Sequence, residues 1–177
     1  MVVNISMIEI RKYQESDAHD LWAIFYHTVR NVNLRDYSQA QVEAWAPDDF
    51  SSEIWQRKMN SLSPFVAEID GKIVGYSDLQ ENGLIDHFFC HHEHQGRGVG
   101  RQLMEHVLRM GKLQGITRFY SEVSITARPF YERFGFKVAQ EQTIEVRGTK
   151  AVQLCHGEIQ LTNASRGTVN AWRFQSH

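Results

Sequence analysis

The residues from Asp86 to Arg101, DHFFCHHEHQGRGVGR, combine types and spacing that point to a definite chemistry. A short apolar run, Phe88 to Cys90, leads through four polar residues into the glycine-rich segment 95–100, and apolar residues recur at helical spacing over 98–111. Glycine lets a backbone approach a ligand closely and adopt a positive φ. The first N–H groups of a helix lack helical acceptors and favour an anion. The stretch therefore predicts a phosphate-binding loop at a strand-to-helix turn.

The spacing of the glycines excludes two common phosphate-binding motifs. A Walker A loop carries Lys followed by Ser or Thr after its last glycine, and Arg101-Gln102 stands there instead. A dinucleotide-binding G-x-G-x-x-G that starts at Gly96 would need glycine at position 101. The pattern that fits is Q-x-x-G-x-G, which begins at Gln95.

A second motif lies downstream, where residues 127–136 read ARPFYERFGF and match A-x-x-F-Y-x-x-x-G-F. With both motifs, the chain resembles the GNAT superfamily of acyl-CoA-dependent N-acetyltransferases over roughly residues 7–160. The resemblance implies an α/β (α+β) fold, the GNAT fold: a mixed, mostly antiparallel sheet with a splayed central parallel strand pair, flanked by helices. It also implies acetyl-CoA as the cofactor and transfer of its acetyl group to a primary amine of a small molecule or a peptide.

The resemblance further implies which residues hold the cofactor. In that family the glycine-rich loop binds the coenzyme A pyrophosphate on backbone amides, and the pantetheine arm pairs with the splayed strand like an added strand. Carried over to this chain, the cofactor-binding residues are Phe88, Phe89, Cys90, Gln95, Gly96, Arg97, Gly98, Val99, Gly100, Arg101, Ser124, Ala127, Phe130 and Tyr131. The strand residues among them are expected to bind largely through main-chain atoms, and the side chains of Phe88 and Phe89 have a plain core role as the alternative.

Tyr131 stands where the family has the tyrosine that faces the coenzyme sulfur. A thiolate leaves when an amine attacks the thioester, and a phenol with an ordinary pKa near 10 can protonate it. We therefore expect Tyr131 to be the general acid. Its alternative role is aromatic packing beside Phe130.

A general base is also needed, because the attacking amine must lose a proton. Asp86 is the candidate, since it lies four residues before Cys90 and shares its parity on the strand. Glu81, Glu122 and His87 remain rivals for this role. For any of the carboxylates, the alternative is a solvated surface charge.

The histidines at positions 87, 91, 92 and 94 surround Cys90, and such a tract can bind zinc. No C-x-x-C or helical H-x-x-x-H pattern accompanies them, so we expect no metal. The loop departs from the family pattern, with His92 where proline is common and His94 where an aromatic residue often stands. Three hypotheses stay open: an N-acetyltransferase, a non-catalytic acyl-CoA-binding sensor on the same fold, and a metal-binding module.

Hydrophobic periodicity, capping residues and turn residues predict the helices and strands that position these residues. The first half contains a strand over 7–11, a helix from an N-cap at Ser16 to about 32, a helix that starts at a Ser38–Gln41 capping box, and a helix over 52–60. Strands follow over 64–69, 72–80 and 84–90, joined by turns at 70–71 and 82–83. Helix 98–111, strand 118–123, helix 126–134 ending at Gly135, and strands 136–146 and 149–160 complete the order. A right-handed crossover makes 84–90 parallel to the strand at 118.

Composition limits the remaining possibilities. The 177 residues are 42% hydrophobic, which suits one domain at residues 7–160, with a polar, unassigned tail at 161–177. A net charge of −2 gives no reason to expect nucleic acid. Two cysteines, no signal-peptide core and no long apolar run predict a cytoplasmic protein with no membrane partner, and we expect a monomer or homodimer. The acceptor is open: Trp45, Trp55 and Tyr37 suggest an aromatic-lined pocket, although such residues are more often core.

Overall fold

The computed structural model of the protein describes residues 7–160, without the side chains of residues 149–156. The strands are β1 (Ile8–Lys12), β2 (Phe65–Ile69), β3 (Lys72–Ser77), β4 (Phe88–Cys90), β5 (Arg118–Ser124), β6 (Lys137–Val146) and β7 (Thr149–Gln160). The helices are α1 (Ala18–Asn31), α2 (Gln39–Trp45), α3 (Ser52–Leu62), α4 (Val99–Leu113) and α5 (Arg128–Arg133). Short 3₁₀ turns cover Glu15–Asp17, Asn33–Arg35 and His92–His94. This order of strands and helices agrees with the sequence prediction.

The strands form two sheets that meet at one point and then diverge. One sheet has the order β1-β2-β3-β4 and the other β5-β7-β6, with antiparallel neighbours throughout. A parallel bridge between Leu84 and Tyr120 joins them, and Ile85 N–H donates to the Tyr120 carbonyl at 2.9 Å. Beyond this bridge β4 and β5 separate. The predicted fold class, a mostly antiparallel sheet with a splayed parallel pair, is confirmed.

The strand predicted over 84–90 is interrupted, because β4 holds only Phe88–Cys90. The carboxylate of Asp78 explains the interruption. Its Oδ1 accepts the backbone N–H groups of Asp86 at 2.9 Å and His87 at 2.7 Å, so a side chain holds these groups instead of a neighbouring strand. β3 ends at Ser77, short of the predicted end at residue 80, although the N–H groups of Asp78 and Gln80 still donate to the carbonyls of His87 at 3.2 Å and Leu84 at 2.9 Å.

Two predicted helix starts had different outcomes. Ser38 and Gln41 form the capping box, with Gln41 N–H donating to Ser38 Oγ at 3.2 Å and Ser38 N–H to Gln41 Oε1 at 2.8 Å. The prediction of Ser16 as an N-cap is wrong, since Glu15–Asp17 forms a 3₁₀ turn and α1 begins at Ala18. The capping box could be predicted from the sequence because its two residues, Ser38 and Gln41, are only three positions apart.

Apolar side chains pack on both sides of the sheets. α1, α2 and α3 cover one side with a core that includes Leu21 and Met59, and α4 and α5 cover the other with Leu103 and Phe119. α4 lies very close to β5, because a Cβ at Gly111 would be 2.4 Å from the Phe119 ring. The divergence of β4 and β5 therefore opens between two packed layers.

The chain ends at 1–6 and 161–177, predicted as an extension and a polar tail, lie outside the described residues. Across residues 7–160, no helix has the length and apolar character needed to cross a membrane.

Candidate active site

A cleft of about 920 Å³ opens where β4 and β5 separate. We call the part beside the Leu84–Tyr120 bridge, lined by Asp86, His87, Ser121 and Tyr131, the closed end. We call the part formed by residues 95–101 the loop end. Both belong to the same continuous cleft, so one extended ligand can contact both.

The loop end is built mainly from backbone. Gly96 and Gly98 have φ values of 74° and 86°, and Gly98 is the N-cap of α4. The first helical bond runs from Gln102 N–H to the Gly98 carbonyl at 3.0 Å, and no side chain within the described part of the chain caps this turn. Helix geometry leaves the N–H groups of Val99 and Gly100 without intrahelical acceptors, so the start of α4 favours an anion.

Gly98 and Gly100 require glycine for different reasons. A Cβ at Gly98 would meet no protein atom within 4 Å, so the constraint is its positive φ rather than protein packing. A Cβ at Gly100 would lie 3.2 Å from the Phe130 ring and 3.4 Å from Cys90 Sγ. Gly100 therefore allows the first turn of α4 to approach both β4 and α5.

The predicted loop residues differ in whether their side chains reach the cleft. The residues that line it are Gln95, Gly96, Gly98, Gly100 and Arg101. Arg97 is exposed outside the lining, and Val99 is 1% exposed in the core under α4. Val99 can therefore contribute to cofactor binding only through its backbone, whereas the exposed side chain of Arg97 lies at the edge of the loop.

The register of β4 decides which of its backbone groups face the gap. Hydrogen bonds at His87 and His91, on either side of β4, are directed to β3. Because antiparallel pairs alternate, Phe89 also directs its backbone groups to β3, whereas Phe88 and Cys90 direct theirs away from β3. The Cys90 carbonyl already accepts a hydrogen bond from Thr28 Oγ1 at 2.8 Å, which leaves its N–H on the side of the gap. The expectation of main-chain contacts therefore fits Phe88 and Cys90 but needs correction for Phe89, which lines the cleft with its ring.

Tyr131 lies at the closed end, with its hydroxyl 3.3 Å from Ser121 Oγ. Ser121 donates to the Ile85 carbonyl at 2.7 Å, where the parallel ladder stops. Burial raises the pKa of Tyr131 above its usual range, so the phenol keeps its proton at neutral pH. Ser121 is not among the residues predicted for the site, because nothing in its strand distinguishes it from other polar positions.

Asp86 also lines the closed end, with 44% of its side chain exposed. Its Oδ2 lies 3.5 Å from Lys58 Nζ and 3.6 Å from His87 Nε2. Burial, followed by the charge of Lys58, lowers the pKa of His87 to about 4, so the imidazole is neutral at pH 7. Asp86 thus combines access to the cleft with a cationic and a polar neighbour.

The two glutamates that were alternatives to Asp86 as the general base lie in different places in the structure. Glu122 lines the cleft, and its Oε2 accepts Gln142 Nε2 at 2.5 Å. Glu81 is exposed and does not line the cleft. Among the glutamates, only Glu122 stands close enough to compete with Asp86.

Two walls flank the gap. The wall from the first half of the chain is lined by Phe25, Thr28, Val32, Asn33, Arg35, Trp45, Trp55 and Lys58. Trp45 and Trp55 thus line the cleft as the aromatic-pocket prediction required, whereas Tyr37 is buried outside the lining and its hydroxyl accepts Ile125 N–H at 2.8 Å. The opposite wall includes the predicted residues Ser124, Ala127 and Phe130.

Two residues of the histidine tract, His87 and His94, line the cleft. The rings of His91 and His92 stack at 4.7 Å, and His94 meets His91 edge-on at 5.0 Å. Burial lowers the pKa of His91 and of His94. Among the side chains that the structure describes, no group of three or more His, Cys, Asp or Glu could hold a metal ion. The metal-binding hypothesis therefore gains no support from the described residues.

Comparisons with known proteins add an independent finding. The family described as "Acetyltransferase (GNAT) domain" matches residues 33–154. The chain is also 35% identical to the uncharacterized N-acetyltransferase YafP of Escherichia coli (strain K12) over 141 residues, which cover 80% of this chain and 89% of YafP.

Two solved structures have a similar fold. A GCN5-related N-acetyltransferase from Rhodopseudomonas palustris superposes with a TM-score of 0.83 at 24% identity, over 88% of this chain and 97% of the other. The PaiA N-acetyltransferase from Thermoplasma acidophilum, in complex with coenzyme A, gives a TM-score of 0.68 at 19% identity, over 87% of this chain and 99% of the other. At identities of 24% and 19%, these two structures show a similarity of fold alone.

Proposed function

We propose that this chain, which belongs to the GNAT acetyltransferase family, transfers the acetyl group of acetyl-CoA to a primary amine of a small molecule or a peptide by direct attack. Acetyl transfer from acetyl-CoA is general to the family. The direct attack and the residue roles below are inferred from the arrangement of the cleft.

The observation that carries this function is one cleft with an anion-binding helix start at one end and a buried proton donor at the other. The uncapped first turn of α4 after Gly98 suits a pyrophosphate. The gap-facing backbone of Phe88 and Cys90 suits an arm that carries amide groups, because such an arm pairs like an added strand. The volume of about 920 Å³ lies within the usual range for a ligand site.

Acetyl-CoA, when bound, supplies the thioester that the amine attacks. The backbone of residues 95–101 would hold its pyrophosphate, and the gap-facing groups of Phe88 and Cys90 would hold its arm. Ser124, Ala127 and Phe130 would pack against it from the opposite wall. These residues exclude water from the arm and fix its direction toward the closed end.

Two protons move during the transfer, and two side chains are assigned to them. The amine gives a proton to the Asp86 carboxylate as the new C–N bond forms. Tyr131 gives its phenol proton to the sulfur as the C–S bond breaks. Because Tyr131 is 5% exposed and keeps its proton at neutral pH, it is ready as the acid before the reaction begins.

The test is a screen of coenzyme A thiol release from acetyl-CoA with a panel of small amines and lysine-containing peptides. We expect release that depends on one class of amine, with the acetylated amine identified by mass spectrometry. Calorimetric titration with acetyl-CoA, run beside it, measures binding alone. Tight binding without release for any amine would favour the acyl-CoA sensor and overturn the proposed transfer.

A further inference from the structure

We propose that His87 is a positioning residue, held in its Nε2–H tautomer by Tyr76, and that its N–H orients Asp86 rather than acting as the base. The role of Asp86 rests on the function proposed above. The tautomer of His87 rests on the geometry of the folded protein alone.

The imidazole of His87 is enclosed and has little freedom to turn. It is 5% exposed, and its ring centroid lies 6.1 Å from that of Phe25, 5.8 Å from Trp55 and 5.7 Å from Phe89. These rings come from α1, α3 and β4. A ring packed on several sides keeps its two nitrogens in fixed directions, one toward Tyr76 and one toward Asp86.

Tyr76 decides which nitrogen carries the proton. Its hydroxyl is fully buried and lies 3.1 Å from His87 Nδ1, its one hydrogen-bond partner among the described residues. Burial raises the pKa of Tyr76 well above its usual value, so the O–H is intact. A buried donor without an acceptor is costly, so the phenol donates to Nδ1. A neutral imidazole that accepts at Nδ1 carries its proton on Nε2.

The contact between His87 Nε2 and Asp86 favours the same tautomer. Nε2 lies 3.6 Å from Asp86 Oδ2, where an N–H attracts the carboxylate and a lone pair would repel it. Lys58 Nζ approaches the same oxygen at 3.5 Å. Both donors therefore converge on Oδ2. At 3.5 and 3.6 Å these contacts are electrostatic rather than hydrogen bonds. No hydrogen bond to Oδ1 is made within the described part of the chain, so we assign the proton of the amine to that oxygen.

The charges around His87 preserve this arrangement. Lys58 on α3 and Asp86 face its ring, and the buried carboxylate of Asp78 accepts its backbone N–H at 2.7 Å. Burial and Lys58 lower the pKa of His87 to about 4, while burial raises the pKa of Asp78 to about 6. The ring thus stays neutral from pH 6 upward, and the tautomer does not change over the range in which an amine is acetylated.

The direct test is long-range ¹H–¹⁵N correlation spectroscopy on ¹⁵N-histidine-labelled protein. His87 is assigned among the nine histidines by its loss in His87→Gln. We expect the pattern of a neutral Nε2–H imidazole that does not change between pH 6 and 8, and a mixture of tautomers in Tyr76→Phe. An Nδ1–H ring in the wild type, or a ring that titrates in this range, would overturn the proposal.

Kinetics separate positioning from base catalysis. His87→Gln retains an N–H group but has no group that can take a proton, so kcat/KM should fall by only about fivefold, the scale of one weak polar contact. In His87→Gln, kcat/KM should still rise with pH as it does in the wild type. The control is His106→Gln on α4, which should leave kcat/KM unchanged. Loss of the basic limb in His87→Gln would make His87 the base. An Nε2–H ring in a protein that acetylates no amine would overturn the proposed function and the positioning role together, while leaving the tautomer.

Discussion

The two ends of the cleft are built in opposite ways. At the loop end, residues 95–98 are all exposed, and the groups proposed to bind the anion are backbone N–H groups at the start of α4. At the closed end, Ser121, Tyr131 and His87 are each no more than 5% exposed, and the groups proposed to react are side chains. Backbone conformation makes the first end, and tertiary packing makes the second.

Under the proposed function, this difference separates the part of the cleft that binds from the part that carries out the chemistry. An anion can be held by backbone amides in contact with water, because helix geometry already orients them. A proton donor needs a controlled environment, because burial and neighbouring charges set its pKa. Variants at the loop end should therefore change affinity, and variants at the closed end should change turnover.

The largest effect is expected for Tyr131→Phe. This change removes the proton donor and keeps the ring that packs 5.9 Å from Phe88 and 5.1 Å from Phe136. We expect kcat to fall by about 10²–10⁴-fold, the usual range for general acid–base catalysis, with little change in acetyl-CoA affinity. Steady-state kinetics and calorimetry measure the two quantities. Equal turnover by the wild type and Tyr131→Phe would leave Tyr131 as a packing residue and remove chemistry from the closed end.

Asp86→Asn should have the next largest effect. An amine with a pKa near 10 is mostly protonated at pH 7, so kcat/KM should rise with pH until an enzyme group limits it. Asparagine keeps the size and a hydrogen bond but cannot take the proton. We expect a loss of about 10²-fold, at the lower end of the range because water reaches this partly exposed site, and loss of the basic limb.

Glu122→Gln is the matched control for Asp86→Asn, because Glu122 is the other carboxylate assigned as a candidate base that lines the cleft. A basic limb that survives in Asp86→Asn and vanishes in Glu122→Gln would transfer the role to Glu122. Asp86 would then be a surface carboxylate paired with Lys58.

Gly98→Val tests the loop end. Valine at a φ of 86° is strained by about 1–3 kcal/mol, so the turn must rearrange and the N–H groups of α4 lose their direction. We expect acetyl-CoA to bind about 10- to 100-fold more weakly, whereas Arg97→Ala should cost less than about threefold. Gly115→Val is the control, since Gly115 has a φ of 81° and open space at its Cβ, but lies at the far end of α4. Normal affinity in Gly98→Val would show that this turn is not the anion site.

The contrast also explains which parts of the molecule could be predicted from the sequence. The two-residue turn at Asp70-Gly71 could be predicted because both of its residues take positive φ, at 52° and 77°, and Asp-Gly is a sequence that such turns favour. The loop end could be predicted in part for the same reason, since Gly96 and Gly98 take positive φ. The strand order and the splayed pair followed from apolar runs, turns and the crossover helix.

The closed end could be predicted only in part, because its contacts join distant segments. Asp78 interrupts the strand expected at 84–90, because its carboxylate accepts hydrogen bonds from the backbone N–H groups of Asp86 and His87. These residues are eight and nine positions away, and no local sequence pattern predicts such hydrogen bonds. Ser121 was missed for the same reason, as its partners Ile85 and Tyr131 come from other elements. Tyr131 was predicted as a site residue only through the resemblance of residues 127–136 to a family motif.

The smallest effect on the wild type should be the pH dependence of its stability near pH 5, because two buried groups oppose each other. The folded pKa of Asp78, about 6, lies above its usual 3.8, so its contribution to stability is present below pH 3.8 and is lost as pH rises to 6. The folded pKa of His87, about 4, lies below its usual 6.5, so its contribution is present above pH 6.5 and is lost as pH falls to 4. Between pH 4 and 6 these two trends largely cancel.

Single variants should therefore reveal trends that the wild type hides. Relative to the wild type, Asp78→Asn should gain stability with rising pH between 4 and 6, and His87→Gln should lose it, each by about 2–3 kcal/mol across the window. Denaturant unfolding at a series of pH values measures the free energy of unfolding. Gly98→Val, which changes no titrating group, should be destabilised by the same amount at every pH. If the free energy of unfolding of Asp78→Asn and His87→Gln changed with pH as it does in the wild type and in Gly98→Val, neither Asp78 nor His87 would have a strongly shifted pKa. The environment of His87 would then differ from the loop end in burial alone.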